Sequence, residues 1–143
     1  QLDHLAVIDG DDVRQMVRQP HKAPWEGEAG ATQHELGVQN NCSLARSFVK
    51  AGYDVLILDV VSQNLVSTYR RELSSFPCFI VSLLPSREVI RARNQQKPSY
   101  LQPQEIEWTY QKQEQLTDFD ERIDNSSLSA SNIAERIRGL MRK

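Results

Sequence analysis

The chain has 143 residues with a formal net charge of −2, and its composition is 25% charged and 39% hydrophobic. That is the length of a single domain able to bury its own core, and the charge balance excludes a strongly basic nucleic-acid binder and a disordered polyelectrolyte. No stretch approaches the roughly 20 apolar residues of a membrane span, and the first residues lack a basic-then-apolar signal pattern, so a cytoplasmic protein with no membrane partner is expected. Cys42 and Cys78 form no Cys-x-x-Cys pair and read as small apolar residues of a reduced compartment.

Taken in order, the chain begins with an apolar run, Leu5 to Ile8, that stops at Asp9, Gly10, Asp11 and Asp12. Unbroken apolar character predicts a strand enclosed on both faces, and ligands collect at the carboxyl ends of such strands. Asp9 and Asp11 alternate along extended backbone, and Gly10 lets another group approach the main chain. Two carboxylates so placed suit a Mg²⁺ shell or a general base; the competing reading is that Asp11 or Asp12 caps the next helix. That helix is predicted over 11–18, on Val13, Met16 and Val17, and Pro20 ends it or the turn after it. Residues 19–34 read as a loop with Pro20, Pro24, Gly27 and Gly30 around Trp25, an aromatic either stacked on a ligand or tucked against the domain edge.

Thr32 is predicted to start a long helix with Leu36, Leu44, Ala45 and Phe48 as its apolar stripe and Gly52 as its cap. Its polar face carries Gln33, Gln39, Asn40 and Asn41, either solvated or reading a polar ligand through a residue such as Asn40. A second buried strand, 54–60, again delivers a carboxylate, Asp59. A helix over 63–74 follows on Leu65, Val66, Tyr69 and Leu73, and Pro77 opens a third strand, 78–84. Pro85 and Ser86 start a helix bearing Arg87, Arg91 and Arg93, with Lys97 just beyond; such a run is a solvated face or a phosphate clamp. Pro103 opens another helix, Arg122 to Asp124 form a short edge strand, and Ser131 is expected to cap the last helix. Strands alternating with helices argue for a mainly parallel sheet with helices on both faces, in one α/β domain.

Three blocks resemble the P-loop small-molecule kinases and phosphotransferases, in the branch near adenylylsulfate kinase, gluconate kinase and chloramphenicol phosphotransferase-like proteins. They are Ile8-Asp-Gly-Asp-Asp-Val-Arg14, then Phe48-Val-Lys-Ala-Gly-Tyr-Asp-Val-Leu-Ile-Leu-Asp59, and Leu83-Leu-Pro-Ser-Arg-Glu-Val-Ile-Arg-Ala-Arg-Asn94. The resemblance implies a three-layer α/β/α domain that uses ATP and Mg²⁺ to phosphorylate a hydroxyl of a small molecule. It implies Asp9 or Asp11 as general base or metal-shell carboxylate, Arg14 as substrate anchor and Asp59 as the metal-side carboxylate. Arg91, Arg93 and Lys97 become lid cations, and the turn at Asn125 and Ser126 lies by the adenine. Trp25 and Asn40 remain the candidate substrate contacts read from the residues themselves.

The likeness has one large gap. A phosphate cradle needs Gly-x-x-x-x-Gly-Lys-Ser/Thr, and none of the five lysines is followed by Ser or Thr. In the family the run at Leu5 is the second strand, so the first strand, normally mid-sheet, the phosphate loop and the first helix have no counterpart here. The expectation is an N-terminally incomplete domain. Two other readings stand beside it: a catalytically silent nucleotide- or ligand-binding domain of the same fold, and a haloacid-dehalogenase-like phosphatase using Asp9 and Asp11 with Ser82. The substrate's identity and the oligomeric state have no code in the sequence.

Overall fold

The structure is a computed structural model describing residues 3–98 and 101–141. Its contacts divide the chain into two compact units, Gln1–Pro77 and Cys78–Lys143, and the protein is mixed α/β with a two-stranded parallel sheet in each.

The first unit runs β1 (Leu5–Asp9), α1 (Gly10–Arg14), α2 (Gly27–Lys50), β2 (Asp54–Leu58) and α3 (Gln63–Glu72). β1 and β2 pair in parallel from Leu5↔Asp54 to Asp9↔Leu58, and α2, the crossover between them, packs on both strands. Ala6 and Ile8 are buried, whereas Val7 on the alternate face is 55% exposed and Leu58 on the neighbouring strand is 49% exposed. This corrects the expectation of strands enclosed on both faces. The side chains of a strand alternate, so one covering helix buries only every second residue, and Leu5, Val7, Leu56 and Leu58 form an apolar face open to solvent.

α2 begins five residues before the predicted Thr32, inside the segment expected to be loop. The glycines there are not breakers. A side chain at Gly30 would place its Cβ 2.1 Å from the Ala23 carbonyl oxygen, so the missing side chain lets the preceding loop lie directly on the helix. Gln33 fastens that loop by donating to the Pro20 carbonyl at 2.7 Å and accepting from the Lys22 amide at 2.9 Å. The predicted apolar stripe is also corrected: Leu36, Leu44 and Phe48 are exposed. The buried face is Gly30, His34, Gly37, Val38, Asn41, Cys42 and Ala45, which keeps helical spacing but is built of small and polar residues. At its far end the chain leaves α2 through Gly52, whose φ of +88° needs a glycine.

The second unit runs β3 (Val81–Leu83), α4 (Arg87–Gln95), α5 (Pro103–Glu114), β4 (Glu121–Ile123) and α6 (Ala130–Leu140). β3 pairs with β4 in parallel, Val81↔Glu121 to Leu83↔Ile123. β3 is shorter than the predicted 78–84 because the ladder gives way to a side chain at Ile80, whose N–H donates to the Asp120 carboxylate at 2.7 Å. Ser86 caps α4 by accepting from the Val89 N–H at 3.3 Å, as expected. α6 is capped by Ser129, two residues before the predicted Ser131, through the Asn132 N–H at 3.2 Å. Ile106, Tyr110, Leu116 and Ile123 form the buried core of this unit.

Two glycines test this packing from opposite sides. Gly30→Ala is expected to lose roughly 1–3 kcal/mol in urea unfolding, because its Cβ meets backbone that must move. Gly139→Ala, with nothing within 4 Å of the added Cβ, is expected to gain up to about 1 kcal/mol from helix propensity.

Candidate functional site

Parallel pairing aligns the carboxyl ends of β1 and β2, so Asp9 lies opposite Leu58 and the next residue, Asp59, emerges beside Gly10. The approach is close: a Cβ on Gly10 would fall 2.7 Å from both Cγ and Oδ1 of Asp59. Gly10 is therefore where β1 accepts a carboxylate from β2, the close approach expected of it.

The Asp59 side chain is only 10% exposed, and a buried carboxylate is tolerated only when hydrogen-bonded. Tyr69 Oη, from α3, donates to Oδ2 at 2.6 Å. Asn41 Nδ2, from α2, donates to Tyr69 Oη at 2.8 Å and more weakly to Oδ2 at 3.4 Å. The Val60 N–H donates to Oδ1 at 2.8 Å, and His34 Nε2 stands 3.9 Å from that same oxygen. One hydroxyl proton committed to Asp59 leaves Tyr69 Oη as an acceptor, which fixes the Asn41 amide with its nitrogen toward the pair. Asn41 Oδ1 then points elsewhere; it is buried and without a partner. Burial, reinforced by the charge of Asp59, pushes the Tyr69 hydroxyl far above the ordinary tyrosine range.

Asp9 and Asp11 occupy the same end of the sheet but serve other bonds. Asp9 Oδ1 accepts the Asp11 N–H at 2.9 Å and caps α1, a role expected of Asp11 or Asp12. α1 also stops at Arg14, short of the predicted residue 18. Asp11 is 63% exposed and pairs through Oδ1 with Arg14 at 3.1 Å, while the Arg14 side chain itself is 12% exposed and lies over Gly37. Trp25 is half-buried in the turn before α2, and Asn40 is exposed. The inward amide is its neighbour, Asn41.

In the second unit the expected clamp is engaged by acids. Arg87 pairs with Glu107 and Glu114 and lies 4.4 Å over the Tyr110 ring, and Arg91 pairs with Glu107 at 3.6 Å. Arg93 donates to the Asn125 carbonyl at 2.8 Å, so those two expected site residues do meet. Ser126 donates its amide and hydroxyl to Asp124 Oδ1 at 2.9 and 2.6 Å and accepts the Ser86 N–H at 2.8 Å. The hydroxyl and then the amide hold the Asp124 carboxyl below its ordinary pKa. Lys97 is exposed, and Ser82 accepts from Arg122 at 3.3 Å.

Among the described residues no group of three His, Cys, Asp or Glu side chains is arranged to hold a metal ion, and no helix is long and apolar enough to cross a membrane. Neither protein-family models nor curated proteins match the chain. His34, Asn41 and Tyr69 were outside the expected site. The signal for the first two was their seven-residue spacing on the helix face that also carries Val38, Cys42 and Ala45; Tyr69 was read only as an apolar stripe residue.

Tyr69→Phe removes a buried donor to a charged acceptor, and wild type is expected to exceed it by roughly 1.5–3 kcal/mol at about pH 8. The raised folded-state pKa makes the Tyr69 contribution complete below about pH 10, where the unfolded chain also holds the proton. Above that pH the unfolded chain ionises first, so the wild-type advantage should shrink. Paired urea titrations on either side of pH 10 check this; a difference that grows with pH would refute the assigned environment.

Proposed function

We propose that the protein is a phosphotransferase that uses ATP and Mg²⁺ to phosphorylate a hydroxyl of a small molecule, with its strands in the three-layer arrangement of the P-loop kinases. The observation that carries this reading is the Asp59 carboxylate lying on Gly10 at the shared carboxyl end of a parallel strand pair.

Each residue then has a chemical task. Asp59 Oδ1, which accepts one amide, keeps a second lone pair for a metal-bound water, and Mg²⁺ characteristically takes only one or two carboxylates and completes its shell with water and phosphate. When bound, the ion would neutralise charge developing on the transferred group. Asp11, exposed and steadied by Arg14, is the accessible base for an acceptor hydroxyl. Arg91, Arg93 and Lys97 retain their lid assignment, and Arg91 and Arg93 would exchange Glu107 and the Asn125 carbonyl for phosphoryl oxygens. The engagement of Arg87 and Arg91 by carboxylates favours the second reading, a silent ligand-binding domain of this fold.

No residue in the sequence supplies the phosphate cradle, so the 143-residue chain is expected to bind Mg·ATP with a Kd no tighter than millimolar by titration calorimetry. Submicromolar, Mg²⁺-dependent binding would show the phosphate site to be elsewhere. The function itself is tested with the native gene product and radiolabelled ATP over a panel of small hydroxylated acceptors. Transfer is expected, with kcat reduced about 10²–10⁴-fold in Asp11→Asn, the scale of losing a general base. Absence of transfer to any acceptor favours the silent domain.

A further inference from the structure

The face of β1 and β2 that α2 does not cover carries a pattern fixed by the strand register. Alternation along the strands sets Leu5 beside Asp54, Val7 beside Leu56 and Asp9 beside Leu58 on that one face. Leu5, Val7, Leu56 and Leu58 are between 42% and 55% exposed, and both aspartates are exposed. The apolar residues therefore form one oblique band, from Leu5 through Val7 and Leu56 to Leu58, with a carboxylate on each flank. The band runs ~13 Å along the strands and ~5 Å across them. Asp9 gives one oxygen to the cap of α1 and keeps the other.

We propose that this band docks an amphipathic helix of a partner protein, one that carries a Lys or Arg on each flank of its apolar stripe. Parallel strands are ordinarily covered on both faces, and a helix, α2, already covers the other. The band is as long as about nine residues of helix, which is room for apolar side chains at i, i+3 or i+4, and i+7. Its charge selects the occupant. A second copy laid face to face about a two-fold axis along the strands would set Asp54 on Leu5 and Asp9 on Leu58. About an axis across the strands it would set Asp9 on Leu5 and Asp54 on Leu58. Either way all four carboxylates of the pair are pressed onto leucines without a partner. An anionic lipid surface would meet like charge. A basic amphipathic helix covers the apolar band and brings a cation to each carboxylate at the rim, where such pairs set specificity and orientation.

The test follows the backbone amides of the whole chain in ¹H–¹⁵N spectra. The probes are two end-capped peptides of about 14 residues, with the same leucine stripe at helical spacing and either lysine or glutamate on both flanks. Saturable shifts of the Val7 and Leu56 amides are expected with the lysine peptide, at an affinity at least about tenfold above that of the glutamate peptide. Asp54→Lys, a change at an exposed position, reverses one flank and should bring the two peptides within about threefold of each other. Val7 and Leu56 amides indifferent to both peptides, equal affinity for the two in wild type, or an unchanged ratio in Asp54→Lys would each overturn the proposal, and the first two need no variant to fold. Shifts of the same amides on concentrating the protein alone would overturn it in favour of a second copy. Shifts with phosphatidylserine vesicles and with neither peptide would overturn it in favour of a membrane.

Discussion

The first unit depends on keeping one carboxylate, Asp59, out of water. Its cost is offset by hydrogen bonds from the Val60 amide, from Tyr69 on α3 and from Asn41 on α2, with His34 Nε2 3.9 Å away, while Gly10 leaves the room that the carboxylate occupies. Those contacts explain choices that would otherwise be arbitrary. Gly10 has no side chain because the carboxylate is there. α2 turns a polar residue inward at two positions, seven residues apart, because the group it covers is charged. α3 presents a tyrosine rather than a phenylalanine because the ring's rim must end in a donor. Removing one partner of a buried charge exposes the cost of the other, so these residues are coupled rather than independently tuned.

The second unit manages its charges differently. Arg87 and Arg91 lie near the surface and spread over Glu107 and Glu114, pairs of which each is worth little alone. Its more specific feature is the clasp after β4, where Asp124, Ser126 and Ser86 form one hydrogen-bonded chain and Arg93 takes the Asn125 carbonyl. This clasp joins the start of α4 to the turn that follows β4.

Much of this was legible in the residues, and what was not has a common cause. Apolar runs ending in aspartate located β1 and β2, because an abrupt change from apolar to charged marks a strand end whatever it packs on. Ser86 and Pro103 marked their helices because capping chemistry is local. The start of α2 was missed because Gly30 serves a close approach to Ala23, a fact about a distant carbonyl. Its inner face was missed because His34, Gly37 and Asn41 do not look like core until Asp59 is placed against them. Asn40 and Asn41 are adjacent amides of the same type, and only helix phase decides that one is solvated and the other buried. Strand pairing in two separate ladders is a long-range property that no local pattern encodes.

The central claim is that Tyr69 and Asp59 act as one unit within the buried network. A double-mutant cycle built from Tyr69→Phe, Asp59→Asn and the double variant, measured by urea unfolding near neutral pH, tests it most directly. The account predicts a coupling of about 2 kcal/mol, as for a buried hydrogen bond to a charge, while a coupling within about 0.3 kcal/mol of zero would contradict it.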